Sequence, residues 1–189
     1  KPAEVLAALQ AGEVALDDAA ATDKTHSILR CIEYSHSNLD PAAQELLTCL
    51  APFSTVININ YLPEYTERLK EQPALAHLPF DHWQEVLQAA ADWGLLTQHD
   101  VPGYVRLQPI FPYFLRSRLN MGGDLAGFDS PVNQPDTLPN PARSSAIRTA
   151  FRLFYDDFGG AIANAMESKN PQERQVGQLL ARLEYENLS

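Results

Sequence analysis

Residues 28–53 read ILRCIEYSHSNLDPAAQELLTCLAPF, and two helices with a polar turn between them account for the whole stretch. Ile28, Leu29 and Ile32 share one helical face, and HSNLDP then interrupts the pattern. In that turn Asp40 is placed to accept from the first free backbone N–H groups of the next helix, and Pro41 suits its first position. Ala43, Leu46, Leu47 and Leu50 follow at i, i+3, i+4 and i+7, a stripe that faces a core, and Pro52 stops the helix.

Working outward, Pro63 opens a third helix expected to run through Gln72. Residues 79–94, PFDHWQEVLQAAADWG, predict a fourth, with Asp81 as cap, Gln84 completing a capping box and Gly94 as the stop. Leu95 to Pro109, LLTQHDVPGYVRLQP, has two strand-like runs around Asp100 to Gly103, the composition of a hairpin. A further amphipathic helix is expected from Ile110 to Leu119. Helices followed by a hairpin is winged-helix order.

The flanks read differently. Residues 1–22 carry a short amphipathic segment, Val5, Leu6 and Leu9, then Gly12 and a run of small residues, which suggests the tail of a preceding domain. Lys1 in place of Met suggests a piece of a longer chain. Residues 120–142 contain three glycines, four prolines and no Lys or Arg, the composition of a linker. Beyond it, Ile147, Phe151, Phe154 and Phe158 lie on one helical face and Val176, Leu179, Leu180 and Leu183 on another, a helical hairpin turning at Ser168 to Pro171. Gly159 and Gly160 are expected to kink or break its first helix.

The chain has 189 residues, 45% of them apolar, enough for one sizeable core or two small ones. With 24 acidic against 14 basic residues the net charge is -10, and the summed field repels phosphate unless cations gather on one face. Cys31 and Cys49 have no ligand-like spacing and read as reduced core thiols, consistent with a cytoplasmic protein. Neither a spanning segment nor a signal sequence is apparent, so no membrane partner is expected.

Winged helices that bind DNA set the helix before the wing into the major groove, where Lys and Arg meet phosphates and guanine edges. Here that helix, Asp81 to Trp93, carries Asp81, Glu85 and Asp92 and no Lys or Arg, and the wing adds only Arg106. No nucleic-acid partner is therefore expected. Trp83, Val86, Leu87, Ala90 and Trp93 on the same helix have ordinary core spacing. His26, His36, His77, His82 and His99 lie in turns, at helix ends or in the hairpin, without metal-binding spacing, and each reads as solvated. Cys31 and His36 are a conceivable nucleophile pair, but nothing supplies an orienting third group. The acidic pairs Asp17/Asp18 and Asp156/Asp157 point their carboxylates to different sides. No Walker A or GxGxxG motif occurs, and Gly122–Gly123 and Gly159–Gly160 lack the Lys and Ser/Thr that would follow. No catalytic residue, metal site or cofactor is assigned to this chain.

Three segments together resemble the winged-helix domain that follows the ATPase core of STAND-type (NB-ARC/NACHT-like) NTPases. The opening run resembles its first two helices, VRLQPIFPYFLRSRL its closing strand and helix, and RLEYENLS the entry to tetratricopeptide-like repeats. The likeness covers roughly residues 25–119 and, more loosely, 143–189. The fold it implies is mainly α: a winged helix at about 23–119, then a linker and a helical hairpin leading toward repeats. The function it implies is a non-catalytic regulatory module of a signal-transduction NTPase, coupling nucleotide-dependent conformation to a C-terminal sensor. Its partners would be the neighbouring nucleotide-binding domain and the repeat region of the same chain, with possible self-association, and ATP or ADP would be bound by the full-length protein. In many relatives a His before the proline after the wing donates to the terminal phosphate; here that place holds Gln108, in Leu107-Gln108-Pro109, which can donate but cannot titrate. Gln108 also reads as a plain polar residue at a strand end. The alternative function is a winged-helix transcription regulator dimerising through its C-terminal hairpin. A peptide-binding repeat scaffold needs more than two helices.

Overall fold

The computed structural model describes residues 19–119 and 141–188. The segment containing Val5, Leu6, Leu9 and Gly12, the Asp17/Asp18 pair, Gly122–Gly123 and nearly all of the expected linker lie outside the described residues.

Helix α1, Ala19–Ser37, leads into the turn at Asn38 to Asp40. Asp40 caps α2, Pro41–Leu47, accepting from the Ala43 N–H at 2.9 Å, as its sequence position predicts. The helix tightens into a 3-10 turn, Thr48–Leu50, before Pro52. The carbonyls left free there are met from a distance, for Arg116 Nε donates to Ala51 O at 2.8 Å. Strand β1, Val56–Asn58, comes next and was not expected. Then follow α3, Leu62–Lys70; α4, Trp83–Asp92; β2, Leu96–Gln98; β3, Tyr104–Leu107; and α5, Phe111–Leu119.

The strands form one antiparallel sheet in the order β1-β3-β2, with Val56 opposite Arg106 and Leu96 opposite Leu107. With its preceding helices this is a winged helix. Its two sharp turns use glycine at positive φ: Gly94 at 73° ends α4, and Gly103 at 84° closes the hairpin. The Gly103 carbonyl also accepts from the Ile59 N–H at 2.8 Å, fastening the hairpin tip to the start of α3.

A helical hairpin follows, α6, Pro141–Glu167, and α7, Pro171–Leu183, with a further short helix α8, Tyr185–Leu188. Helix α6 belongs to the winged helix's own core: Ile147, Ala150, Phe154 and Phe158 are buried in the same cluster as Leu46, Tyr65 and Leu115. Phe53 meets Phe151 edge-on at 5.1 Å, and Tyr61 meets Phe158 at 4.6 Å.

Several expectations are corrected. Asp81 does not cap α4: the chain enters through a 3-10 turn, Phe80–His82, and neither a side-chain cap nor a capping box forms. The entry is held by packing and by the Trp83 indole, which donates to Thr66 Oγ1 on α3 at 2.9 Å. Helix α6 runs unbroken through Gly159 and Gly160, because buried Phe158 and Ile162 on either side hold it in place. Helix α7 presents a different face from the one its apolar spacing predicts. Gly177 is buried where a Cβ would come 2.8 Å from the Met166 backbone N, and this close crossing turns Val176 and Leu179 outward, 55% and 48% exposed. Trp93 and Ile28 are also exposed, Trp93 packing edge-on against Tyr34 at 6.1 Å. Cys31 is exposed, whereas Cys49 is a core thiol whose burial pushes its pKa up to about 12. His36 is buried.

Candidate functional site

The helix before the wing, α4, buries Trp83, Val86, Leu87 and Ala90 against the core, and Gln84, Glu85, Gln88 and Asp92 are left on its solvent side. Gln88 Nε2 donates to Asp92 Oδ1 at 2.8 Å, so that side is a hydrogen-bonded acidic and amide surface. Among the described residues the cations of the winged helix are mostly engaged elsewhere. Arg68 bridges Asp157 at 2.6 Å and Glu71 at 2.9 Å, Arg118 meets Glu33 at 3.2 Å, and Arg116 serves backbone carbonyls. Arg106 points outward from β3.

Between α3, α4 and the β2–β3 hairpin lies an open groove of about 1050 Å³. Leu62, Leu87 and Leu96 form its floor, and Ile59, Ala91 and Val105 are reached by solvent along it. Glu64, Glu67 and Asp81 stand at its rim with one cation, Lys70, whose Nζ is 3.1 Å from Glu67 Oε1. Its parts come from successive elements between residues 59 and 105, and periodicity does not show how they pack together; of its rim carboxylates only Asp81, just before α4, was legible as part of an acidic face.

Gln108 is exposed at the end of β3. Its backbone N–H donates to Leu95 O at 3.1 Å and its carbonyl accepts from the Phe111 N–H at 2.8 Å, which joins the two hairpin strands to the start of α5. The backbone is thus fixed, with the side-chain amide outside the core. Gln108 does not line the groove.

The remaining singled-out residues do not converge. His77 and His82 are exposed beside Glu45 and Glu85, at 3.6 and 3.8 Å, and His99 Nδ1 accepts from the Val101 N–H at 3.0 Å within the hairpin. Asp157 is held by Arg68, and Asp156 is on the exposed side of α6. Cys31 is exposed and His36 buried, so the two do not form a reactive pair at an accessible site. Among the described residues no three His, Cys, Asp or Glu side chains gather as metal ligands would, and no helix is long and apolar enough to cross a membrane.

Sequence reasoning missed the burial of His36, expected to be solvated, and of Glu184. His36 packs edge-on against Phe114 at 5.1 Å, and neither ring nitrogen has a hydrogen-bond partner among the described residues. Burial, assisted by the nearby Arg118 charge, lowers its pKa from 6.5 to about 4. Glu184, fully buried at the end of α7, accepts from the Tyr155 hydroxyl and from Asn187 Nδ2, each at 2.8 Å. Asn187 in turn donates to Val56 O at 3.0 Å and accepts from the Ser54 N–H at 2.9 Å, fastening α8 to the edge of β1. Burial and the Glu184 charge raise the pKa of the Tyr155 and Tyr104 hydroxyls well above the ordinary phenol value.

Compared with known proteins, the sequence matches no family model, and no curated protein or solved structure matches it either.

Proposed function

We propose that the chain is a non-catalytic regulatory module of a STAND signal-transduction NTPase, acting in the cytoplasm through protein contacts rather than through nucleic acid. One observation carries the choice between those partners. The helix that a DNA-binding winged helix would insert here presents Glu85, Gln88 and Asp92 and no cation, beside a groove with three carboxylates at its rim. Bringing that face to a phosphate backbone would set like charges together without counterion release to offset them.

In this reading the nucleotide-binding domain of the intact protein lies N-terminal to the module and binds ATP or ADP, and the repeat region lies beyond α8. The exposed Gln108 would take the place of the phosphate-donating His that the resemblance implies. The module would then have two packings of similar free energy, selected by nucleotide on one side and by the sensor on the other.

Titration of the chain with labelled duplex DNA of random sequence across a salt series is expected to give no association near physiological salt. Salt-dependent binding there would overturn the reading in favour of a DNA-binding regulator. In the intact protein, Gln108→Ala is expected to speed ADP release, and an unchanged release rate would remove Gln108 from the nucleotide site.

A further inference from the structure

The geometry points to the groove between α3, α4 and the β2–β3 hairpin as the docking site of a cationic amphipathic helix. This rests on the reading that the module works through protein contacts, and it names the chemistry of the contact.

The floor supplies the apolar half of the match. Leu62, Leu87 and Leu96 are packed from below, whereas Ile59, 39% exposed, and the small Ala91 leave apolar surface open along the groove. A helix laid there would bury one apolar stripe, the mode by which amphipathic helices enter grooves. The rim supplies the charge. Lys70 is already held by Glu67, and neither Glu64 nor Asp81 has an ion-pair partner among the described residues. Lys or Arg flanking an apolar stripe would meet those two carboxylates at the rim, where pairing steers encounter and fixes orientation.

Charge also excludes occupants closer at hand. Residues 1–18 hold one cation, Lys1, against Glu4, Glu13, Asp17 and Asp18, and residues 120–140 hold none against Asp124, Asp129 and Asp136. A second copy of the chain brings a net charge of -10 to an acidic rim. Each would place like charge beside Glu64 and Asp81, so the helix comes from a basic segment of another domain or protein.

The probe is a fluorescent helical peptide of Leu and Lys in amphipathic spacing, with a Leu and Glu peptide of the same pattern as control, titrated by anisotropy into the full 189-residue chain. The cationic peptide is expected to bind and the anionic one not to. Ala91→Arg, which places bulk and positive charge in the groove from an exposed position, is expected to weaken binding about tenfold or more. The pair Glu64→Gln and Asp81→Asn is expected to weaken it more than Asp156→Asn with Glu167→Gln, which removes the same charge from α6. Circular dichroism checks that each variant stays folded. Binding that ignores Ala91→Arg, or falls equally with both charge pairs, would overturn the groove as the site. The DNA titration described above then reports separately: no DNA binding with an insensitive groove leaves the protein-contact reading standing, whereas DNA binding removes both.

Discussion

Among the described residues one carboxylate and one imidazole are buried, those of Glu184 and His36, and the fold treats them in different ways. Glu184 at the end of α7 has donors at one carboxylate oxygen, the Tyr155 hydroxyl and the Asn187 amide, while its other oxygen and the nearby Tyr104 hydroxyl have no hydrogen-bond partner among the described residues. His36 near the end of α1 has aromatic rings of α5 against it and, among the described residues, no hydrogen-bond partner for either nitrogen. A buried carboxylate with donors ties elements together, because the acceptor, its donors and the backbone they reach must all stay in place. A buried imidazole without partners can only stay neutral. Glu184 is therefore a fastener, and His36 a point of acid sensitivity.

The largest expected effect breaks the fastener. Glu184→Ala strands the Tyr155 hydroxyl, leaves the Asn187 amide only its Val56 acceptor and opens a cavity in the core, and should lower stability by about 4 kcal/mol, read from urea unfolding. Glu184→Gln retains a carbonyl acceptor and should recover part of that loss. Equal stability of Glu184→Ala and the parent chain would mean that the cluster holds nothing together.

The second effect lies at His36. The unfolded chain takes up a proton near pH 6.5, whereas the folded chain refuses it until about pH 4. The unfolded state thus binds more protons between these values. Stability holds above about pH 6.5 and falls as the pH drops through the window, by roughly 3 kcal/mol at its acid end. Beside burial, Arg118 on α5 disfavours a second positive charge at the ring and the Gln44 backbone favours it, and Arg118 is itself paired with Glu33 at 3.2 Å. His36→Leu should flatten this part of the stability profile, measured as urea midpoints across the pH range. A profile equally steep in the variant would assign the acid sensitivity to other groups.

Neither site was legible, and the reasons are physical. His36 stands in SHSN, which reads as a solvated helix end; its burial comes from Phe111 and Phe114, far along the chain. Glu184 stands in RLEYENLS, read only for its resemblance to the entry of helical repeats, and its burial comes from Tyr155 of α6 and Asn187 closing over it. Local signals fared better where the physics is local. Asp40 and Pro41 start a helix by their own backbone chemistry, and Gly94 and Gly103 supply the positive φ that ends α4 and turns the hairpin. Strand β1 was missed because three residues are too few to show a period of two, and its partner β3 is remote in sequence. Of the candidate site, the acidic face of α4 could be read directly, but the groove needed α3 and the hairpin to be brought beside it.

The smallest effect separates the parts of the fastener. Tyr155→Phe removes one donor from Glu184 while keeping the ring, which packs against Phe151 at 4.5 Å and Phe154 at 4.9 Å. The aromatic contacts survive, so the loss should be about 1 kcal/mol, the net worth of one hydrogen bond. Asn187→Ala acts on a different link. It frees the Ser54 N–H and the Val56 carbonyl at the sheet edge, so α8 should detach before the core opens. Hydrogen exchange distinguishes the two: Asn187→Ala should accelerate exchange at Ser54 and along α8 with the centre of α6 unchanged, whereas Tyr155→Phe should shift both together. If both variants accelerated exchange uniformly, Glu184 and Asn187 would belong to the global core, and α8 would not be a separately releasable element.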